Sequence, residues 1–291
     1  MTVPPIVPVL ALVSAVLSAG ATIFIRQGLR TSGSFTGFWI NVVVGMITLW
    51  IAVAVTGGPG PVSAKALGYF VLAGLVGTVA GRLFRFVAIE RVGASVAAAV
   101  INLNPMIATI LAILLLGEQV TMPIVVGTLV IMLGTVLLSL SGGRLGFAPR
   151  LLWLPILSAT CFGMVSILRK LGLGGAGPII GTALNVTTAA VAFGSFMLAT
   201  GQRDALIVRG RPLVYFAAAG LMENTAVFLN IVALGMGTVS VVTPLYGSSP
   251  IFVLLFSFLF LRGVEVLTAR VVTGTLLIVL GIYLISALAG R

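Results

Sequence analysis

A stretch running from Ser95 to Gly134 returns near the far end of the chain, from Ser240 to Gly281. Placing Pro105 on Pro250 also places Ser95 on Ser240, Val96 on Val241 and Leu116 on Leu261; after a two-residue slip, Glu118, Thr121, Gly127 and Gly134 meet Glu265, Thr268, Gly274 and Gly281. Each copy is an apolar run interrupted by proline, a short loop carrying Glu, and a second apolar run with spaced glycines. Earlier landmarks repeat as well: Gly20 and Arg26 fall on Gly163 and Arg169, and Ile40-Asn41-Val42 on Leu184-Asn185-Val186. A chain duplicated along its whole length folds as two like halves. We expect them to be residues 1–141 and 142–291, with the boundary at Ser141-Gly142-Gly143-Arg144.

What those halves fold in is set by hydropathy. With 60% hydrophobic and 7% charged residues and a mean hydropathy of +1.28, the chain is expected to be an all-α integral membrane protein. Apolar runs bounded by charges or Pro/Gly clusters fall at about 6–25, 35–55, 66–88, 93–116, 121–140, 151–168, 177–198, 212–233, 240–261 and 266–288. Ten spans make five per half. An odd number sends the second half into the bilayer from the opposite side, so two inverted five-helix repeats are expected, the architecture of many secondary transporters.

The net charge of +11 does not point to nucleic acid, because Lys and Arg stand singly or in small groups at the ends of apolar runs. The loops after odd-numbered runs hold Arg26, Arg30, Arg91, Arg144, Arg150, Arg203, Arg209, Arg211, Arg262 and Arg270; the other side holds Lys65, Arg169, Lys170 and Arg291. That asymmetry places both termini outside the cytoplasm. Cys161 is the only cysteine, which leaves no intrachain disulfide and no thiolate metal site, and histidine is absent. No metal or cofactor is expected. Small residues Ser18-Ala19-Gly20-Ala21 end the first run, but no basic region precedes it and it has a repeat partner, so it reads as a retained span and not a cleaved leader.

The repeated element resembles the EamA-type repeat of the drug/metabolite transporter superfamily: an aliphatic helix with a mid-helix proline, an apolar run into Gly-Glu, then a helix of Gly-x6-Gly form. Here these are Pro105, Leu116-Gly117-Glu118 and Gly127 to Gly134, then Pro250, Glu265 and Gly274 to Gly281. The resemblance covers essentially the whole chain. It implies ten helices as two repeats and transport of a small molecule, with amino acids, other metabolites, nucleotide sugars or drugs as the substrate classes, often by export. A bacterial inner membrane is the expected location. Two features depart from the pattern. Family members are usually drawn with cytoplasmic termini, against the loop charges here, and the second copy reads Leu-Arg-Gly-Val-Glu where the first has Leu-Gly-Glu.

Candidate functional residues are polar groups at depths where lipid punishes them. Glu223 lies near the centre of the eighth run, where a carboxylate costs roughly 2.5 to 3.5 kcal/mol on insertion scales. Asn230 shares its face. Glu223 reads either as a proton-coupling group or as a protonated partner in an interhelical hydrogen bond. Arg82 suits an anionic substrate group, while Arg85, one turn on, can snorkel to the interface. The depths of Arg82 and Glu223 differ by about 7 Å, within the joint reach of the two side chains, so Arg82 or substrate is the expected counter-ion. Asn41 and Asn185, at equivalent positions, read as cavity lining or as interhelical glue. Asn104 and Pro105, with Pro244, Tyr246, Ser248 and Pro250, mark breaks that would free carbonyls for substrate or act as hinges; a tolerated kink is the plainer reading. Glu118 and Glu265 read as loop structure, and the glycines as close-packing positions or a dimer face.

The leading expectation is a secondary active transporter, exporting an amino acid or organic anion by alternating access, with protons or exchanged substrate as the driving partner. It would work as a monomer or homodimer. A lipid-handling flippase or a membrane assembly factor is the competing class. Enzyme chemistry has little to draw on, with five acidic residues, no histidine and no nucleotide or hydrolase motif.

Overall fold

A computed structural model describes residues 4–92, 97, 100–140, 149–202, 206, 210–260 and 269–285. Helix accounts for nearly all of them. The first half comprises α1 (Ile6–Gly28), α2 (Ser34–Val55), α3 (Ala64–Ala73), which widens into a π-helical segment (Gly74–Gly81) and continues as α4 (Arg82–Val92), then α5 (Asn104–Leu116) and α6 (Met122–Leu140). After a 3-10 turn (Pro149–Leu152), the second half comprises α7 (Trp153–Gly172), α8 (Pro178–Ala199), α9 (Arg211–Met236), α10 (Val239–Tyr246), α11 (Ser249–Phe260) and α12 (Ala269–Tyr283). Among the described residues six helices are long and apolar enough to cross a membrane, and four shorter apolar helices, Asn104–Leu116, Met122–Leu137, Val239–Val253 and Val272–Tyr283, fall on the remaining runs.

Lipid is the outer solvent. Leu114, Met122, Val55, Val214 and Leu276 are exposed, whereas Asn41, Arg82, Asn185 and Glu223 are buried. This inverts the soluble arrangement, as polar groups must when the surroundings cannot hydrogen-bond them.

Packing follows the duplication. α1 lies against α9, and its counterpart α7 lies against α3, the π segment and α4. α2 contacts α9 while α8 contacts α3 and the π segment; α2 meets α8, and α6 meets α12. Hydrogen bonds repeat too. The Ser14 hydroxyl donates to Ala226 O (2.6 Å), and Ser158 donates to Gly81 O (2.8 Å). The Phe216 ring sits between Gly28 and Gly37, where a Cβ would come within 2.7 and 2.8 Å of its Cζ, and Phe70 sits likewise between Gly172 and Gly181, within 2.7 and 2.6 Å of ring carbons. Ser14 with Ser158, and Gly28 with Gly172, set one register for the first and sixth runs. In that register Arg169 matches Ile25, one position off the expected Arg26.

The spaced glycines act inside the chain, not at a dimer face. A Cβ on Gly134 would meet Gly274 O at 2.6 Å and one on Gly281 would meet Gly127 O at 2.6 Å, so α6 and α12 approach to backbone contact.

Both proline-bearing spans break two or three residues before proline, at 102–103 and 247–248, where the missing N–H and ring clash fall. The breaks meet at equivalent positions, with Asn102 Nδ2 donating to Gly247 O (3.1 Å). Pro244 lies inside α10, which continues past it, so the hinge expected there is a helix interior. The π segment was not legible from a run that reads as one helix. Gly74, Gly77 and Gly81 bring it against α8 and α7, and the Ser158 hydroxyl takes the Gly81 carbonyl from outside.

Loops after even-numbered runs are tied together. Val62 and Ala176 form an antiparallel bridge, with Ser63 N donating to Gly175 O (2.9 Å). Gly117 ends α5 in the left-handed conformation (φ 65°), which turns Glu118 toward the start of α10. There its carboxylate accepts from the amides of Val239 (2.8 Å) and Ser240 (3.0 Å). Lys170 Nζ donates to Leu234 O and Gly237 O (both 2.6 Å) at the end of α9. The Gly-Glu motif thus terminates one helix and caps another in the opposite half. Its counterpart at Glu265, the boundary at Ser141–Arg144, and Ser95, Val96, Leu261 and Thr268 lie outside the described residues.

Candidate functional site

Four spans converge on one polar cluster. Glu223 on α9 is 3% exposed, and its Oε1 accepts from Arg85 NH1 at 3.2 Å, an ion pair between the two halves. Arg85 NH2 donates to Thr22 Oγ1 (2.7 Å) on α1. Ser18, one turn earlier, donates to Glu223 Oε2 (3.4 Å) and accepts from the Tyr246 hydroxyl (3.2 Å) on α10. Tyr246, Ser18, Glu223, Arg85 and Thr22 therefore form one hydrogen-bonded chain across the interior.

The partner of Glu223 is Arg85, not Arg82. Side chains lean toward the N-terminus of their own helix, so residues on antiparallel spans lean toward each other. Arg85 starts farther from the level of Glu223 but leans into it. Arg82 turns to a different partner, its NH1 donating to Asn41 Oδ1 (2.7 Å) on α2. Arg85 consequently does not snorkel outward. Arg82 is 3% exposed at the junction of the π segment and α4, and Glu223, Tyr246 and Arg85 all act on it electrostatically.

The remaining candidates separate. Asn41 fixes the Arg82 guanidinium, and its backbone carbonyl accepts from Asn224 Nδ2 (3.0 Å). Asn185 donates to Thr78 Oγ1 (2.7 Å) and is fully buried between α8 and the π segment, with its Oδ1 unpartnered among the described residues. Asn230 is buried on α9 but joins none of these groups among the described residues. Asn104 donates to Ile101 O (3.0 Å) and Ser248 to Leu245 O (2.6 Å). Both side chains therefore satisfy carbonyls within their own breaks, and the structure does not turn them toward the cluster. Pro105 and Pro250 follow those breaks.

Three participants were missed in the sequence. Ser18 and Thr22 carry a weak signal, two hydroxyls one turn apart on the first run, but small polar residues are common in membrane helices. Arg169 was counted as a loop charge, yet it is 8% exposed and lies within Coulombic range of Arg82, Tyr246 and Glu223. Among the described residues no group of His, Cys, Asp or Glu is assembled to hold a metal ion.

A model of the EamA-like transporter family matches residues 6–140 and again 150–287. A curated relative from Clostridium kluyveri, described as an uncharacterized transporter, is 29% identical over 129 residues, which is 44% of this chain and 42% of that relative. The match thus spans under half the relative's length. A protein of known crystal structure shares the fold at a TM-score of 0.80, covering 98% of both chains at 18% identity.

Proposed function

We propose that this chain, which belongs to the EamA-like transporter family, is a secondary transporter that moves a small carboxylate-bearing metabolite by alternating access about the Arg85–Glu223 pair. The membership makes it a multi-pass membrane transporter of a small molecule. The substrate class, the coupling and the mechanism are our reading. The observation that carries them is a buried ion pair whose two members come from opposite halves, 3.2 Å apart. When the halves rock, such a pair separates, and a carboxylate left in apolar surroundings takes up a proton. Restoring the pair releases it. Glu223 would therefore bind a proton in one state and give it up in the other, with Ser18 and Tyr246 holding the carboxyl in place. The tied loops on the even-numbered side support a state closed on that face. Arg82, fixed by Asn41, offers the rest of its fork to an anionic group. Export is the direction suggested by resemblance to the superfamily.

In proteoliposomes, Glu223→Gln is expected to keep substrate exchange and lose accumulation driven by a pH gradient. A variant that still accumulates substrate as wild type does would make Glu223 structural. Labelled lipid carried in the same vesicles should not move; lipid movement without solute movement would replace the reading with lipid handling.

A further inference from the structure

Arg169 has no part in the pair just described, and its surroundings ask for a ligand. It stands in the last turn of α7, one turn beyond Val165, which packs over Gly77 of the π segment. It is 8% exposed, and its buried Nε has no hydrogen-bond partner. α7 runs antiparallel to the third span, with Ser158 on Gly81 and Gly172 on Phe70. The lean of a helical side chain toward its own N-terminus carries Arg169 back into the bundle, within Coulombic range of Arg82. Both guanidiniums feel Glu223, the one carboxylate described near them, and it is already held by Arg85. Three guanidiniums to one carboxylate leave two positive charges without a counter-charge among the described residues.

Buried charge of that kind persists only where something neutralises it. Among the described residues neither half supplies a further acid beside them. Asn41, the neighbour that Arg82 does have, is neutral. We propose that Arg82 from the first half and Arg169 from the second together bind a substrate bearing two negative charges, a dicarboxylate or a phosphate monoester, bridging the halves at mid-membrane. Planar forks suit both groups, since each presents paired oxygens to parallel N–H donors. The proposal rests on the transport reading of the same site and adds the charge of what is carried.

The test uses the purified full-length chain near neutral pH and three probes, succinate, glycerol 3-phosphate and monomethyl succinate, with binding read by calorimetry and thermal shift. At least one of the two dianions is expected to bind about tenfold or more tightly than monomethyl succinate, the worth of one additional charge-assisted contact. Whichever dianion does so separates dicarboxylate from phosphate. Arg169→Gln should bring that ratio to within about twofold, and Arg169→Lys should recover part of it, because the charge returns without the fork. Equal binding of dianion and monoanion, no binding of any probe, or undiminished preference in Arg169→Gln would overturn the proposal. If the glutamine variant does not fold, the wild-type ratio and the lysine variant decide. The two readings fail separately. A chain that accumulates a monoanion or zwitterion on a pH gradient but shows no charge preference keeps the transport reading and loses this one. A chain that moves no solute loses both.

Discussion

At the scale of residues, the interior is governed by how few partners each charge has. Arg85 satisfies Glu223 and is itself steadied by Thr22. Removing one member of a buried pair strands the other, which costs more than removing both, because the desolvation already incurred is no longer offset. Arg85→Met is expected to destabilise the protein by about 3–5 kcal/mol. The double variant Arg85→Met with Glu223→Gln should regain most of that loss. Thermal unfolding of the four proteins in one detergent gives the cycle. Additive losses would mean that the pair contributes nothing to the fold.

Elements are joined by one device used twice. Phe70 and Phe216 each fill a socket floored by two glycines at a helical hairpin, Gly172 with Gly181 and Gly28 with Gly37. Both rings are fully buried. Phe70→Ala and Phe216→Ala would each leave a ring-sized void that a glycine floor cannot close, at about 3–5 kcal/mol. Comparable falls in melting temperature are expected from the two, since the sockets are equivalent. A large fall from one and none from the other would show that only one socket holds its hairpin. The Gly-Glu corner works at this scale as well: a left-handed glycine ends α5, and the carboxylate that follows caps α10 in the other half.

The whole molecule has an orientation to choose, and structure sharpens the count of loop charges. Arg26, Arg30, Arg91, Arg150, Arg211 and Arg270 are exposed on the odd-numbered side, while Arg144, Arg203, Arg209 and Arg262 lie outside the described residues. On the even-numbered side Lys65 is exposed, but Arg169 is interior and Lys170 is engaged with the end of α9, so neither acts as a free topology charge. Arg291 lies outside the described residues. The bias toward a cytoplasmic odd side is thus stronger than the sequence count. A C-terminal alkaline phosphatase fusion is expected to be active and a C-terminal fluorescent protein fusion dark. The reverse result would place both termini in the cytoplasm, as the superfamily is usually drawn.

Sequence alone determined the class of solvent, the duplication and the helical spans, because hydropathy and chain length are read along one dimension and the bilayer imposes its thickness on each run. It located both breaks through proline, whose lost N–H acts locally, and it singled out Glu223 through depth. Tertiary structure decided what lies beside what. The partner of Glu223 passed from Arg82 to Arg85 because lean and azimuth, not depth, bring antiparallel side chains together. Arg169 left the loop inventory for the interior because a long side chain in a last turn reaches back into the bundle. The glycines of α6 and α12 became an intramolecular contact, and the third run acquired a π segment, since both follow from backbones approaching across the halves. None of these is encoded in periodicity, which fixes the face of a helix but not the neighbour that face will meet.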